Sequence, residues 1–174
     1  MQENLQTHWN TIYAGKNANE MSWTQDIPYS SLFFIKKLQL PKTAAIIDVG
    51  GGNSKLVDFL LEEGFENISV LDISEEALHK TKQRLGKKAE KVRWIVSDII
   101  MFKPTTLYDV WHDRATFHFL TEPTQINAYV SIAQQAVKKD GALIIATFST
   151  EGPEKCSGLT VQRYNEQTLT ETFQ

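Results

Sequence analysis

Four carboxylates and three consecutive glycines carry most of the chemistry available to this sequence. Asp48 closes the apolar run Ala44-Ala45-Ile46-Ile47 and is followed by Val49 and Gly50-Gly51-Gly52. Asp72, Asp98 and Asp113 follow three later apolar runs in the same manner. A strand that stops at a glycine turn and feeds a helix aims backbone N–H groups at whatever binds there. Glycine suits the turn because a Cβ would block ligand approach and penalise positive φ. The pattern points to a nucleotide-type cofactor. A second group of ionisable side chains, His112, Asp113, Arg114 and His118, sits among Trp111, Phe117 and Phe119. A carboxylate or imidazole there could take a proton from a nucleophile, and an arginine could anchor an anion. The blander reading makes Asp113–Arg114 an ion pair and His118 a core imidazole with its hydrogen bonds satisfied.

Strands and helices must alternate to hold these groups in place. Apolar runs predict strands over 44–49, 67–71, 92–96, 108–112 and 142–148. Between them, helical spacing predicts a helix over 54–63 with Asn53 or Ser54 as its cap. A second starts after Ser74 and ends at Gly86. A third, capped by Thr121, presents Ile126, Val130, Ala133 and Val137 and ends at Gly141, and a last short helix follows Asn165. Near-continuous apolar strands joined by helices mean right-handed βαβ units in an α/β, doubly wound, mostly parallel sheet. Such sheets bind ligands at the carboxyl ends of their strands, where Asp48, Asp72 and Asp98 fall.

Ahead of this core, Leu5, Trp9, Ile12 and Tyr13 predict a helix over 3–14, broken by Gly15-Lys16-Asn17. Ser22-Trp23-Thr24-Gln25 leads to Pro28 and a second helix over 30–38. The aromatics either fill core or roof a cofactor, with Trp23 the candidate contact. Residues 1–41 are therefore read as a helical lid and 42–174 as the core of a single domain.

The turn is selective about its ligand. A dinucleotide fingerprint needs a small residue at position 55, which is Lys, and no phosphate-binding G-x-x-x-x-G-K-[ST] run is present. Residues 48–54 instead resemble motif I of the class I S-adenosylmethionine-dependent methyltransferases, D/E-x-G-x-G-x-G, with Ser54 in place of the third glycine. The resemblance spans 42–149 and implies a Rossmann-like methyltransferase fold. It implies that Asp48, Gly50, Gly51 and Gly52 form the cofactor turn and that Asp72 takes the ribose hydroxyls. It further implies that Ile73 lies on the adenine face and that Asp98 with the Ile99 N–H reads the adenine edge. His112 at a strand end is read as a further cofactor contact. S-adenosylmethionine carries no phosphate, and its ammonium and sulfonium suit a rim of carboxylates. S-adenosylhomocysteine would be the product.

On the substrate side, Asp113, Arg114 and His118 are the catalytic candidates. Trp111-x-Asp113-Arg114 resembles small-thiol S-methyltransferases and also seven-strand protein-lysine methyltransferases. A small-molecule acceptor leads, with a protein acceptor, an oxidoreductase or a non-catalytic cofactor-binding module as alternatives. Gly152–Gly158 reads as a substrate flap, and Cys156 within it as inert.

The family sheet ends in an antiparallel hairpin, and no strand pair fits after Phe148, so that hairpin is expected to be missing. Strand five is then a bare edge. The expectation is a chain cut short or a homodimer paired along that edge. The 174 residues carry a net charge of −3 and a pI near 5.8, with no block of like charges. That speaks against nucleic acid and anionic membranes as partners. One cysteine, no metal staple, no leader and no membrane-spanning run suggest a cytoplasmic protein.

Overall fold

The computed structural model describes residues 2–16, 20–21 and 23–174, with side chains from Leu5 onward. Asn17 and Ser22, parts of the predicted break and leader, lie outside the described residues. Helix α1 (Gln2–Gly15) and α2 (Tyr29–Lys37) precede the sheet. Strands β1 (Ala45–Val49), β2 (Asn67–Asp72), β3 (Val92–Val96), β4 (Tyr108–Arg114) and β5 (Val137–Ala146) form one parallel sheet in the order β3-β2-β1-β4-β5. Helices α3 (Leu56–Glu62), α4 (Glu75–Leu85) and α5 (Pro123–Ala136) connect them.

Strand alternation sorts the apolar side chains into two cores. Ile46, Ile68, Val70 and Val110 pack under α2, α3 and α4, whereas Ile47, Leu71 and Trp111 pack under α5. Both faces are therefore covered, as a doubly wound sheet requires.

Four local expectations are corrected. α3 starts at Leu56, because the glycine turn continues to Ser54, whose Oγ accepts the Leu56 N–H at 3.1 Å. Asn53 Oδ1 is taken instead by Arg84 Nη1 at 2.5 Å. α5 begins at Pro123 after Glu122, not at a Thr121 cap, since proline is preformed for the first helical turn. Its buried stripe runs through Tyr129, Ala133 and Ala136, because Val137 already belongs to β5. Gly141 does not end a helix. It lies in a bulge between the pairs Tyr108↔Val137 and Val110↔Ala142, where a Cβ would stand 2.6 Å from Val137 Cγ1.

Beyond β5 a strand pair does form, two residues per strand: β6 (Lys155–Cys156) against β7 (Leu159–Thr160). Ser157 and Gly158 turn it with φ +52 and +82, the backbone twist of a type I′ hairpin. It stands apart from the main sheet, whose outer strand on that side is β5. The last helix, α6 (Glu166–Thr172), is closed by a reciprocal Asn165–Thr168 capping box.

Candidate active site

Asp48 reaches the rim of β1 only 2% exposed, and the chain then reverses. The Gly50 and Gly51 N–H groups donate to the Leu71 carbonyl at 2.7 and 3.2 Å, which ties the turn to β2. Gly50 has φ +64, and a Cβ there would fall 1.6 Å from Thr116 Oγ1. A Cβ on Gly51 would fall 2.7 Å from Asp48 Oδ2. The expected shelf of N–H donors is thus largely spent inside the protein. What the turn adds to the cleft wall is the Asp48 carboxylate, which repels phosphate and attracts a cation.

Asp72 ends β2 fully engaged with backbone. Its Oδ1 accepts the Ser74 N–H at 2.7 Å, and the Gly52 and Ile73 N–H groups also donate to it. Burial, reinforced by the charge of Asp48, nonetheless raises its carboxyl to about 7. Asp98 follows β3 and accepts the Ile100 N–H at 3.1 Å, capping a short turn in which Ile99 is buried. Since β3, β2 and β1 are neighbours, Asp98, Asp72 and Asp48 share one rim.

β4 runs two residues further than its apolar pattern suggests, because β5 supplies partners to its end: Asp113↔Ile145 and Arg114↔Ala146. Consecutive strand residues face opposite sides. Arg114 therefore lines the cleft and donates Nη2–H to the Trp23 carbonyl at 3.1 Å. Asp113 faces α5, where it accepts the Tyr129 hydroxyl at 2.6 Å and the Thr116 and Phe117 N–H groups at 2.9 and 3.1 Å. Burial raises its carboxyl to about 6 against those bonds. The expected Asp113–Arg114 ion pair is not made. His118 is fully buried, but neither ring nitrogen has a partner, so it is not the satisfied core imidazole expected. It packs edge-on against Phe119 and Phe148, and burial lowers its pKa to about 4.

His112 faces the Asp48 side. Its Nδ1 lies 2.7 Å from Asp48 Oδ1 and its Nε2 lies 2.8 Å from Ser31 Oγ on α2.

Helix α1 roofs the rim. Gln6 Nε2 donates to the Ile73 carbonyl at 3.1 Å, Ser74 Oγ donates to Asn10 Oδ1 at 2.8 Å, and Lys80 Nζ caps the Tyr13 carbonyl. Trp9, Tyr13 and Trp23 pack against one another, and Trp9 meets Phe119 at 5.1 Å between centroids. Between roof and rim lies a narrow cleft walled by Tyr13, Trp23, Asp48, Gly50, Gly51, His112 and Arg114. Gly52 and Asp72 stand at its edge, where a Gly52 Cβ would be 2.7 Å from Asp72 Oδ2 and 2.9 Å from the Tyr13 hydroxyl. Ile73, Asp98, Ile99, Asp113 and His118 lie outside its walls. Sequence reasoning had Tyr13 among the aromatics that could roof a cofactor but named only Trp23 as a contact. It missed Ser31, for which no sequence signal existed.

A family model described as a methyltransferase domain matches residues 40–172. Thiocyanate methyltransferase 1 of Arabidopsis thaliana is 33% identical over 107 residues, 60% of this chain and 46% of its own length. A malonyl-[acyl-carrier protein] O-methyltransferase of Anoxybacillus flavithermus is 31% identical over 105 residues, 59% of this chain and 38% of its own. The matched stretch thus spans less than half of these curated relatives. In fold, the chain is similar to the Burkholderia thailandensis 1,6-didemethyltoxoflavin-N1-methyltransferase, solved with its substrate and S-adenosylhomocysteine. The TM-score is 0.66 at 21% identity, covering 83% of this chain and 64% of that one.

Proposed function

The chain belongs to the methyltransferase domain family, and we propose that it transfers the methyl group of S-adenosylmethionine to a small-molecule acceptor. The observation that carries this reading is the rim itself: Asp48, Asp72 and Asp98 at the ends of adjacent parallel strands, beside a glycine turn whose first N–H groups are already spent. Asp48 Oδ2 is buried with no partner, an orphaned acceptor that suits an ammonium group. Asp72 is the group for the ribose hydroxyls, Ile73 for the adenine face, and Asp98 with the Ile99 N–H for the adenine edge. Gly50, Gly51 and Gly52 let the ligand approach the backbone, with Trp23 and His112 as walls. Residues 1–41 act as the lid over the 42–174 core.

When bound, S-adenosylmethionine supplies a sulfonium methyl as the electrophile. The protein's part is to align the nucleophile and exclude water, and such positioning is worth on the order of 7–11 kcal/mol of barrier. Arg114 anchors an anionic acceptor from the cleft wall. His118, buried behind the cleft walls with both ring nitrogens unpartnered, is the candidate for proton handling, and Asp113 fixes the end of β4 from behind. The relative named for thiocyanate, a small anion, supports an anionic acceptor at Arg114. Among the described residues no helix is long and apolar enough to cross a membrane. We read the protein as cytoplasmic, without a nucleic-acid partner, and the free edge of β5 as the place where a second copy would pair.

Calorimetry with S-adenosylmethionine, S-adenosylhomocysteine and NAD tests the cofactor, and saturable binding of NAD alone overturns the reading. Labelled methyl transfer into a size-fractionated lysate tests the acceptor: label in the small-molecule fraction is expected, and label confined to protein overturns that part.

A further inference from the structure

Asp48, His112 and Ser31 form a continuous buried chain of hydrogen bonds, each residue no more than 3% exposed. It runs from the cofactor rim, through the centre of the sheet, to helix α2. We propose that His112 is a positioning residue: it locks the Asp48 carboxylate so that Oδ2 is left for the ligand, and Ser31 on α2 holds His112 in that pose. The inference rests on the S-adenosylmethionine reading and deepens it.

The hydrogen-bond chemistry leaves one self-consistent arrangement for a neutral ring. An ionised carboxylate only accepts, so His112 Nδ1 carries the hydrogen and donates to Asp48 Oδ1. Nε2 is then a bare acceptor, and the Ser31 hydroxyl must donate to it. The carboxylate has two oxygens. One is fixed by His112, while the other is buried against Gly51 without a partner. A buried acceptor left unsatisfied is destabilising, so the fold retains it at the expense of stability. Asp48 and His112 also stand at partnered positions of β1 and β4, so the sheet fixes their separation. Ser31 contributes no cleft wall, and it lies in α2 with its hydroxyl turned to the ring. The trio has the connectivity of a nucleophile, a base and an acid, yet its serine is shut away from any substrate. It acts through Asp48.

The two amide analogues of histidine separate this role from simple packing. His112→Asn keeps a donor near the Nδ1 position, whereas His112→Gln keeps only one near Nε2. S-adenosylmethionine binding is measured by calorimetry on each variant and on Ser31→Ala, alongside thermal unfolding. His112→Gln is expected to weaken binding about tenfold or more, the worth of one charge-assisted hydrogen bond. His112→Asn is expected to recover most of that loss, with Ser31→Ala falling between. Equal affinity in all the variants, with only their unfolding temperatures lowered, would make the chain purely structural and overturn the proposal. Nitrogen NMR of the wild-type imidazole keeps the test open if a variant fails to fold: the Nδ1–H tautomer is expected, and the Nε2–H tautomer overturns it. Wild-type protein that does not bind S-adenosylmethionine at all removes the cofactor reading, and this inference with it. Wild-type binding matched by His112→Gln removes the inference alone.

Discussion

Tyr129 gives its hydroxyl proton to Asp113 Oδ2 at 2.6 Å, and the Tyr129 hydroxyl oxygen in turn accepts the Trp111 Nε1–H at 2.9 Å. Helix α5 is thereby bolted to the end of β4, one residue from His112 and one from Arg114. Tyr129→Phe removes the bolt without changing the ring. It strips a bond from a buried carboxylate and orphans a buried indole N–H. The expected loss is about 1.5–3 kcal/mol, read as a lower urea midpoint at unchanged slope.

Asp72 makes ligand binding depend on pH. Its carboxyl is raised to about 7, chiefly by burial, so near neutrality a good part of the free protein holds that proton. Ribose hydroxyls donate best to the ionised form. S-adenosylmethionine affinity should therefore rise as pH climbs through 7, with proton release on binding that titrating buffers of different ionisation heat will reveal. Asp72→Asn should abolish both effects. In the free protein the sign is opposite. A carboxyl held above its unfolded value contributes stability at low pH, and that contribution is lost as pH rises toward 7. Asp113, raised to about 6, acts in the same direction.

The strands and the rim were legible because both rest on local pattern: apolar runs, glycines and a carboxylate at each strand end. The cleft walls were not. Whether Asp113 faces the cleft or α5 depends on where β4 ends. The partner strand β5 decides that through its pairs at Ile145 and Ala146, and the helix-terminating look of Gly141 was misleading because that residue lies within β5. The Ser31–His112 contact joins residues 81 positions apart with no periodicity to betray it. The roof was half legible, since the stripe on α1 showed an apolar face without saying what lay beneath.

The glycine turn is predicted to fail in two separable ways. Gly50→Ala carries a residue at φ +64, which costs roughly 1–2 kcal/mol of backbone strain. It also drives a methyl into Thr116 Oγ1 at 1.6 Å. Adding Thr116→Gly should recover the steric part and leave the backbone part, so the double variant should unfold between Gly50→Ala and wild type. Equal stabilities for the single and double variants would mean that the clash is absorbed elsewhere.

His118 divides stability from activity. Its ring is buried with both nitrogens unpartnered, and burial lowers its pKa to about 4. The unfolded chain therefore takes up the proton more readily than the folded one, and the stability tied to the neutral ring is lost as pH falls from about 6.5 toward 4. Phenylalanine has nothing to protonate and no polar atom to leave unsatisfied. His118→Phe should be at least as stable as wild type at pH 8 and more stable at pH 5, by denaturant titration at each pH. Methyl transfer should nonetheless fall, because the free ring nitrogen is gone, and the loss should appear in kcat with S-adenosylmethionine affinity intact. A variant that gains acid stability and keeps full kcat would reduce His118 to a packing residue.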